Sequence, residues 1–179
     1  MIEIVKACEK DNIFLAQVCR DAILFYENII PGSFEKQAFR FEREGLPNSY
    51  EISIVYYENH SIGFIGSISL TPNTTYMVAL YLLNEYQRRG LGTEILDIFT
   101  NSLYQNGKNE VVLLAHKDAS WAKDFYRKNG FGVVTDEEHR IKEYADSSMN
   151  KFYLPNTLLM SKCLLSPVEK EVWDSSNLE

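Results

Sequence analysis

The stretch that most constrains this chain is residues 76–93. Residues 76–83 are a continuous apolar run of strand length, the texture of a strand buried on both faces. Residues 84–89 are polar. Gly90-Leu91-Gly92-Thr93 then opens a helix in which Leu91, Ile95, Phe99 and Leu103 recur at helical spacing. Gly107 closes that helix, and residues 111–115 make another buried strand, so this part of the chain reads as α/β. Successive N–H groups at a helix start point the same way, and the helix dipole adds positive potential, which makes an anion site. Glycines there let the backbone approach a phosphate without an intervening Cβ. Arg88 and Arg89 at the rim suit a diphosphate.

The surrounding pattern supplies the other elements. Residues 2–5 read as a short first strand. From Asp11 to about residue 30 the spacing predicts a helix, with Leu15, Val18, Cys19, Ala22, Phe25 and Ile29 on one face. Asp11 and Asn12 are suitable caps, and Pro31-Gly32 is the stop. A second helix is expected over residues 33–44. Residues 52–57 and 62–70 form a hairpin around Glu58-Asn59-His60-Ser61. Asp118 is the expected N-cap of a short helix carrying Trp121, Phe125 and Tyr126, with Gly130 as its end. Residues 131–134 read as a strand, 135–150 as irregular or partly helical, and 158–165 as a last strand. No repeat or linker divides the chain, so one domain is expected over residues 1–165, followed by a tail over residues 166–179.

Three phosphate-binding patterns compete at the glycine turn. No Gly-Lys-Ser/Thr follows, so the P-loop pattern fails. The dinucleotide pattern fails because Ile95 stands where a third small residue is needed. Gln87-Arg88-Arg89-Gly90-Leu91-Gly92 satisfies Q/R-x-x-G-x-G/A, and a second motif, Ala122-x-x-Phe125-Tyr126-x-x-x-Gly130-Phe131, follows it. With these motifs and the element order, the chain resembles the GNAT superfamily of acyl-CoA N-acyltransferases along nearly its whole length. The resemblance implies a mixed, mostly antiparallel central sheet flanked by helices, with a splayed parallel strand pair that forms an acyl-CoA wedge.

What the resemblance implies for single residues follows the motifs. The pantetheine arm of acetyl-CoA would lie in the wedge beside Leu82 and Leu83, with the Leu82 N–H on the acetyl carbonyl. Gln87, Arg88, Arg89, Gly90, Leu91, Gly92 and Thr93 would wrap the pyrophosphate through backbone amides. Phe125 and Tyr126 would line the cofactor, and Tyr126 occupies the general-acid position. Attack of an amine on a thioester expels a thiolate whose parent thiol has a pKa near ~8.5, and a phenol near ~10 stays protonated to serve it. The acceptor site falls to the first two helices, the turn near His60 and the segment after Val134.

Two positions depart from the family pattern. Residues 74–83 contain no acid and no histidine, so Glu51, His116, Asp118 or a water are the candidate bases. Ala119 stands where the family often has an Asn, flanked by Asp118 and Ser120.

Charge narrows the partners. The chain carries 18 Lys+Arg against 25 Asp+Glu, a net charge of −7, which argues against nucleic acid or an anionic membrane as partner. The charge is uneven: residues 84–130 sum to +1, and the segments before and after sum to −4 each. The acidity therefore avoids the expected anionic cofactor and fits a small cationic amine acceptor, favoured over a protein terminus or lysine. A non-catalytic acyl-CoA-binding module is the remaining alternative. Cys8, Cys19 and Cys163 lack ligand spacing, and His60, His116 and His139 are scattered, so no metal is expected. The start of the chain lacks a signal-peptide pattern, from which a cytoplasmic location is expected. Trp173 in the acidic tail would anchor on the body or on a second subunit, which leaves a homodimer open.

Overall fold

The computed structural model describes residues 1–164, so the tail with Trp173 lies outside the described residues. Seven strands form one sheet in the order β1-β2-β3-β4-β5-β7-β6: β1 Ile2–Lys6, β2 Glu51–Tyr57, β3 His60–Ser69, β4 Thr74–Leu82, β5 Glu110–His116, β6 Gly132–Thr135 and β7 Thr157–Cys163. Every pairing is antiparallel except β4 with β5. This is the mixed, mostly antiparallel sheet the sequence led us to expect.

Helices cover both faces. On one face lie α1 Asn12–Tyr26 and α2 Ser33–Glu44; Leu15, Val18, Cys19 and Ala22 of α1 and Phe34, Ala38 and Phe41 of α2 are buried over Ile52, Ile54 and Phe64 of the sheet. Arg20 holds the two helices together with paired hydrogen bonds to the Glu42 carboxylate at 2.6 and 2.9 Å. α1 stops at Tyr26 rather than near residue 30. The Glu27 carboxylate accepts the Gly32 N–H instead, and Gly32, at φ +66, swings the chain into α2.

On the other face lie α3 Leu91–Gln105 and α4 Ser120–Lys128. Leu91, Ile95 and Leu96 of α3 are buried against both halves of the sheet. The expected cap of α4 is displaced by one residue: Ala119 takes that place, and Asp118 accepts a hydrogen bond from Asn156 Nδ2 at 2.8 Å. The α4 end is as expected. Gly130 adopts φ +85, and the Gly130 and Phe131 amides close back onto the Arg127 and Tyr126 carbonyls at 3.0 Å each. Within residues 135–150 a short helix forms, α5 Glu138–Glu143, which buries Ile141 beside Met149.

Candidate active site

The β3–β4 register jumps from Gly66↔Ala79 to Ser67↔Met77, so Val78 is an extra residue bulged out of the ladder. A bulge bends and over-twists its strand. The consequence appears on the opposite edge. β4 and β5 pair only from Thr74↔Glu110 to Tyr76↔Val112 and then part, while β5 stays paired with β7 along its length. The result is a wedge between the C-terminal halves of two parallel strands.

Backbone alternation decides what faces the wedge. The Leu83 N–H donates to the Ile62 carbonyl at 2.9 Å, toward β3. The Leu82 N–H and carbonyl therefore point the other way, into the gap. The Leu82 side chain packs with Leu91 and Ile95 in the core. Leu83 has its amide engaged and its side chain buried under α1, so it presents no free donor to the wedge.

The loop after β4 is held at both ends. Gln87 Nε2 donates to the Leu82 carbonyl at 2.8 Å and to Asn84 Oδ1 at 3.2 Å. The Asn84 amide donates to the Asp21 carboxylate of α1 at 2.5 Å. Gln87 is thus a staple of the loop rather than only part of its phosphate-facing backbone. Arg88 at φ +59 and Gly90 at φ +81 are both left-handed, which turns neighbouring amides to a common side. Among the described residues, the amides from Arg88 to Gly92 have no hydrogen-bond acceptor, whereas Thr93 N–H turns back to the Gly90 carbonyl at 3.1 Å. Consecutive free amides at the start of α3, with two exposed arginines beside them, fit a diphosphate. Arg89 also lies over the Tyr86 ring at 5.4 Å.

The two glycines have different reasons. A Cβ on Gly90 would meet nothing within 4 Å, so its positive φ is the constraint. A Cβ on Gly92 would sit 3.2 Å from the Phe125 ring, so there the constraint is the packing of α3 on α4.

Tyr126 lies on α4, partly buried, with its ring between Phe125 and Phe131 at centroid distances of 5.1 and 5.5 Å. Its hydroxyl has no hydrogen-bond partner among the described residues. Burial pushes its pKa well above the usual phenol value, and Tyr26 and Tyr76 add to the shift. Three aromatic residues that the motifs did not point to approach from other elements. Tyr26 stacks on Phe34 at 5.0 Å and meets Tyr81 edge-on at 6.2 Å and Trp121 at 5.6 Å. Burial raises the Tyr26 and Tyr81 hydroxyl pKa values in the same sense. Their convergence joins α1, α2, β4 and α4, and no spacing within one segment reports it.

The candidate bases are scattered. Ile52 and Ile54 face α1 and α2, so Glu51 projects to the face of α3. His116 Nδ1 accepts the Asp118 N–H at 3.3 Å, which leaves the imidazole proton on Nε2 in the neutral ring. Asp118 is largely exposed and bonded to Asn156. Of the expected acceptor elements, the first two helices supply Tyr26 and Phe34. His60 makes only an exposed turn contact with the Glu58 carbonyl at 2.9 Å. The segment after Val134 supplies Phe152, 4.9 Å from Tyr76.

A strand wedge and an amide-lined helix start, with Tyr126 of α4 packed in the same cluster as Leu113 and Ala115 of β5, fit the acyl-CoA transferase class of site. Residues 22–151 match the family model described as acetyltransferase (GNAT) domain, and the chain belongs to this GNAT family of N-acetyltransferases. Over 86 residues it is 24% identical to the uncharacterized N-acetyltransferase YobR of Bacillus subtilis (strain 168); the match covers 48% of this chain and 35% of that protein, about a third of its length. The fold is similar to the PaiA N-acetyltransferase from Thermoplasma acidophilum in complex with coenzyme A, with TM-score 0.71 and 23% identity over 91% of this chain and 99% of that one. It is also similar to a spermidine N-acetyltransferase SpeG chimera from Vibrio cholerae and hSSAT, with TM-score 0.63 and 13% identity over 91% and 95% of the two chains. Among the described residues, no helix is long and apolar enough to cross a membrane.

Proposed function

We propose that the protein transfers an acetyl group from acetyl-CoA to a primary amine, on a small cationic molecule, by direct attack in a ternary complex. The observation that carries this reading is the end of β4–β5 pairing at Tyr76↔Val112, which leaves the Leu82 N–H turned into a gap. Acetyl-CoA supplies a thioester, whose carbonyl carbon an amine can attack. The free amides from Arg88 to Gly92 hold its diphosphate, and the Leu82 N–H stabilises negative charge developing on the carbonyl oxygen. Tyr126, kept protonated by its burial, donates its hydroxyl proton to the departing sulfur.

The acceptor enters from the α1 and α2 side. Tyr26, Phe34, Tyr81 and Trp121 offer aromatic faces and edges there, an environment that favours an organic cation over an anion. The incoming amine must lose its charge to react. A lysine-like amine near ~10.4 pays about 4.6 kcal/mol to be neutral at pH 7. Glu51 faces α3, Asp118 is bonded to Asn156 and His116 Nδ1 accepts the Asp118 N–H, so water carries that proton away. A panel of small amines, protein N-termini and lysine peptides with acetyl-CoA, read by free thiol release, tests the reading. Turnover on small amines is expected. Coenzyme A binding without thiol release on any amine would make the protein a binding module instead.

A further inference from the structure

A second concavity, of about 640 Å³, lies on the α3 face beyond the closed end of the wedge, between the C-terminal half of α3 and strands β2 to β4. Alternation explains its walls. Ile52 and Ile54 face the opposite side, which puts the exposed Glu51 and the half-buried Ser53 on this face; Glu51 sits opposite Ser67 on β3. The Thr74 hydroxyl bonds Glu110 at 3.1 Å, and its neighbour Thr75 therefore faces the cleft. Ile65, Phe99 and Leu103 make an apolar wall.

The polar groups select the ligand's charge. Lys108 stands at the rim, but its ammonium already bonds Ser69 Oγ at 2.5 Å and the Thr71 and Pro72 carbonyls at 3.2 and 2.9 Å. All three of its donors are engaged, so it has none left for an anion. Glu51 has neither ion pair nor hydrogen bond among the described residues, and Lys6, on the same face of β1, does not pair with it. The Ser53, Ser67 and Ser102 hydroxyls are equally without partners among the described residues. The decisive group is Thr75. It is 3% exposed, it lines the cleft, and its Oγ1 is buried with no hydrogen-bond partner. Buried hydroxyls are nearly always satisfied, and an unsatisfied one points to a missing partner.

We propose that this cleft is a binding site for a small primary alkylammonium bearing a second polar group. The ammonium pairs with Glu51, the methylene chain lies on Ile65, Phe99 and Leu103, and the second polar group sits at the Thr75 end. Glu51 and Thr75 are two strands apart and two residues out of register, about 12 Å between backbones, a span a five-carbon chain fits once the Glu51 and Thr75 side chains reach into the cleft. Thr75 also belongs to the short run of pairs that holds β4 to β5 before they part. An occupant therefore rests against the strand whose departure forms the wedge.

The test is calorimetric titration of aminopentanol, pentanol and hydroxypentanoate into the full chain without acetyl-CoA, so its outcome does not depend on turnover. Saturable binding of aminopentanol alone is expected, weakened tenfold or more by Glu51→Gln and measurably by the isosteric Thr75→Val, with melting temperatures recorded for both variants. No saturable binding, preference for the anion, or equal binding by wild type and Glu51→Gln would overturn the proposal. The last outcome would place the amine elsewhere, as at the acceptor face.

Discussion

A Cβ on Gly92 would lie 3.2 Å from the Phe125 ring, so the first turn of α3 and the middle of α4 touch at the second of the two positions where the loop motif requires a small residue. The two sequence motifs are therefore a single packed unit. Gly92→Ala gains helix propensity of about 0.5–1 kcal/mol but pushes on a ring held between two helices, which costs about 1–3 kcal/mol. A double-mutant cycle by chemical denaturation checks this. Gly92→Ala is expected to destabilise wild type and to be neutral or stabilising beside Phe125→Leu, with a coupling of about 1 kcal/mol.

Asp21 ties α1 to the loop through the Asn84 amide. Asp21→Ala leaves that amide unpaired and loosens the loop whose free N–H groups we propose hold the diphosphate. The expected effect is a several-fold rise in KM for acetyl-CoA with a smaller change in kcat, measured by initial rates. An unchanged KM would mean that Gln87 alone holds the loop.

Tyr126→Phe is expected to lower kcat by about 10²-fold and to leave coenzyme A affinity nearly unchanged. The pH profile carries the sign. Burial raises the Tyr126 pKa above its ordinary ~10, so the acid stays protonated over the whole range in which the amine loses its proton. kcat/KM should therefore climb with pH and show no falling limb up to about pH 10. A descending limb in wild type that disappears in Tyr126→Phe would contradict this assignment of the pKa.

The three thiols should separate into two classes. Cys19 is fully buried, and its pKa is pushed up to about 12, by burial first, with Arg20 opposing. Cys8 and Cys163 are exposed. A chromogenic disulfide at pH 8 should titrate two thiols quickly and the third only after denaturant is added. Stability should also fall above about pH 10. Tyr76, Tyr81 and Tyr126 have raised folded pKa values, so the unfolded chain releases its protons first. Denaturation midpoints across pH 8 to 11 measure this.

The legible part of this protein is the part written in local spacing. The apolar run before Asn84, the Gln87–Gly92 turn and the Ala122–Phe131 motif specified a strand, a helix start and a second helix, because each depends on neighbours a few residues away. They also pointed to the family and to a parallel pair of strands. What the sequence left open required contacts across the sheet. Val78 gave no sign that it would be the bulged residue, since register is set by the pairing of β3 with β4. By sequence Glu51 is a candidate base; alternation along β2 turns it to the face of α3. Tyr26 and Tyr81, 55 positions apart in the chain, meet only because α1 packs on β4. Local propensity and phosphate chemistry act over one turn of backbone and can be read in order. The aromatic cluster around Tyr26 is assembled from four separate elements, and only their packing decides which side chains meet there.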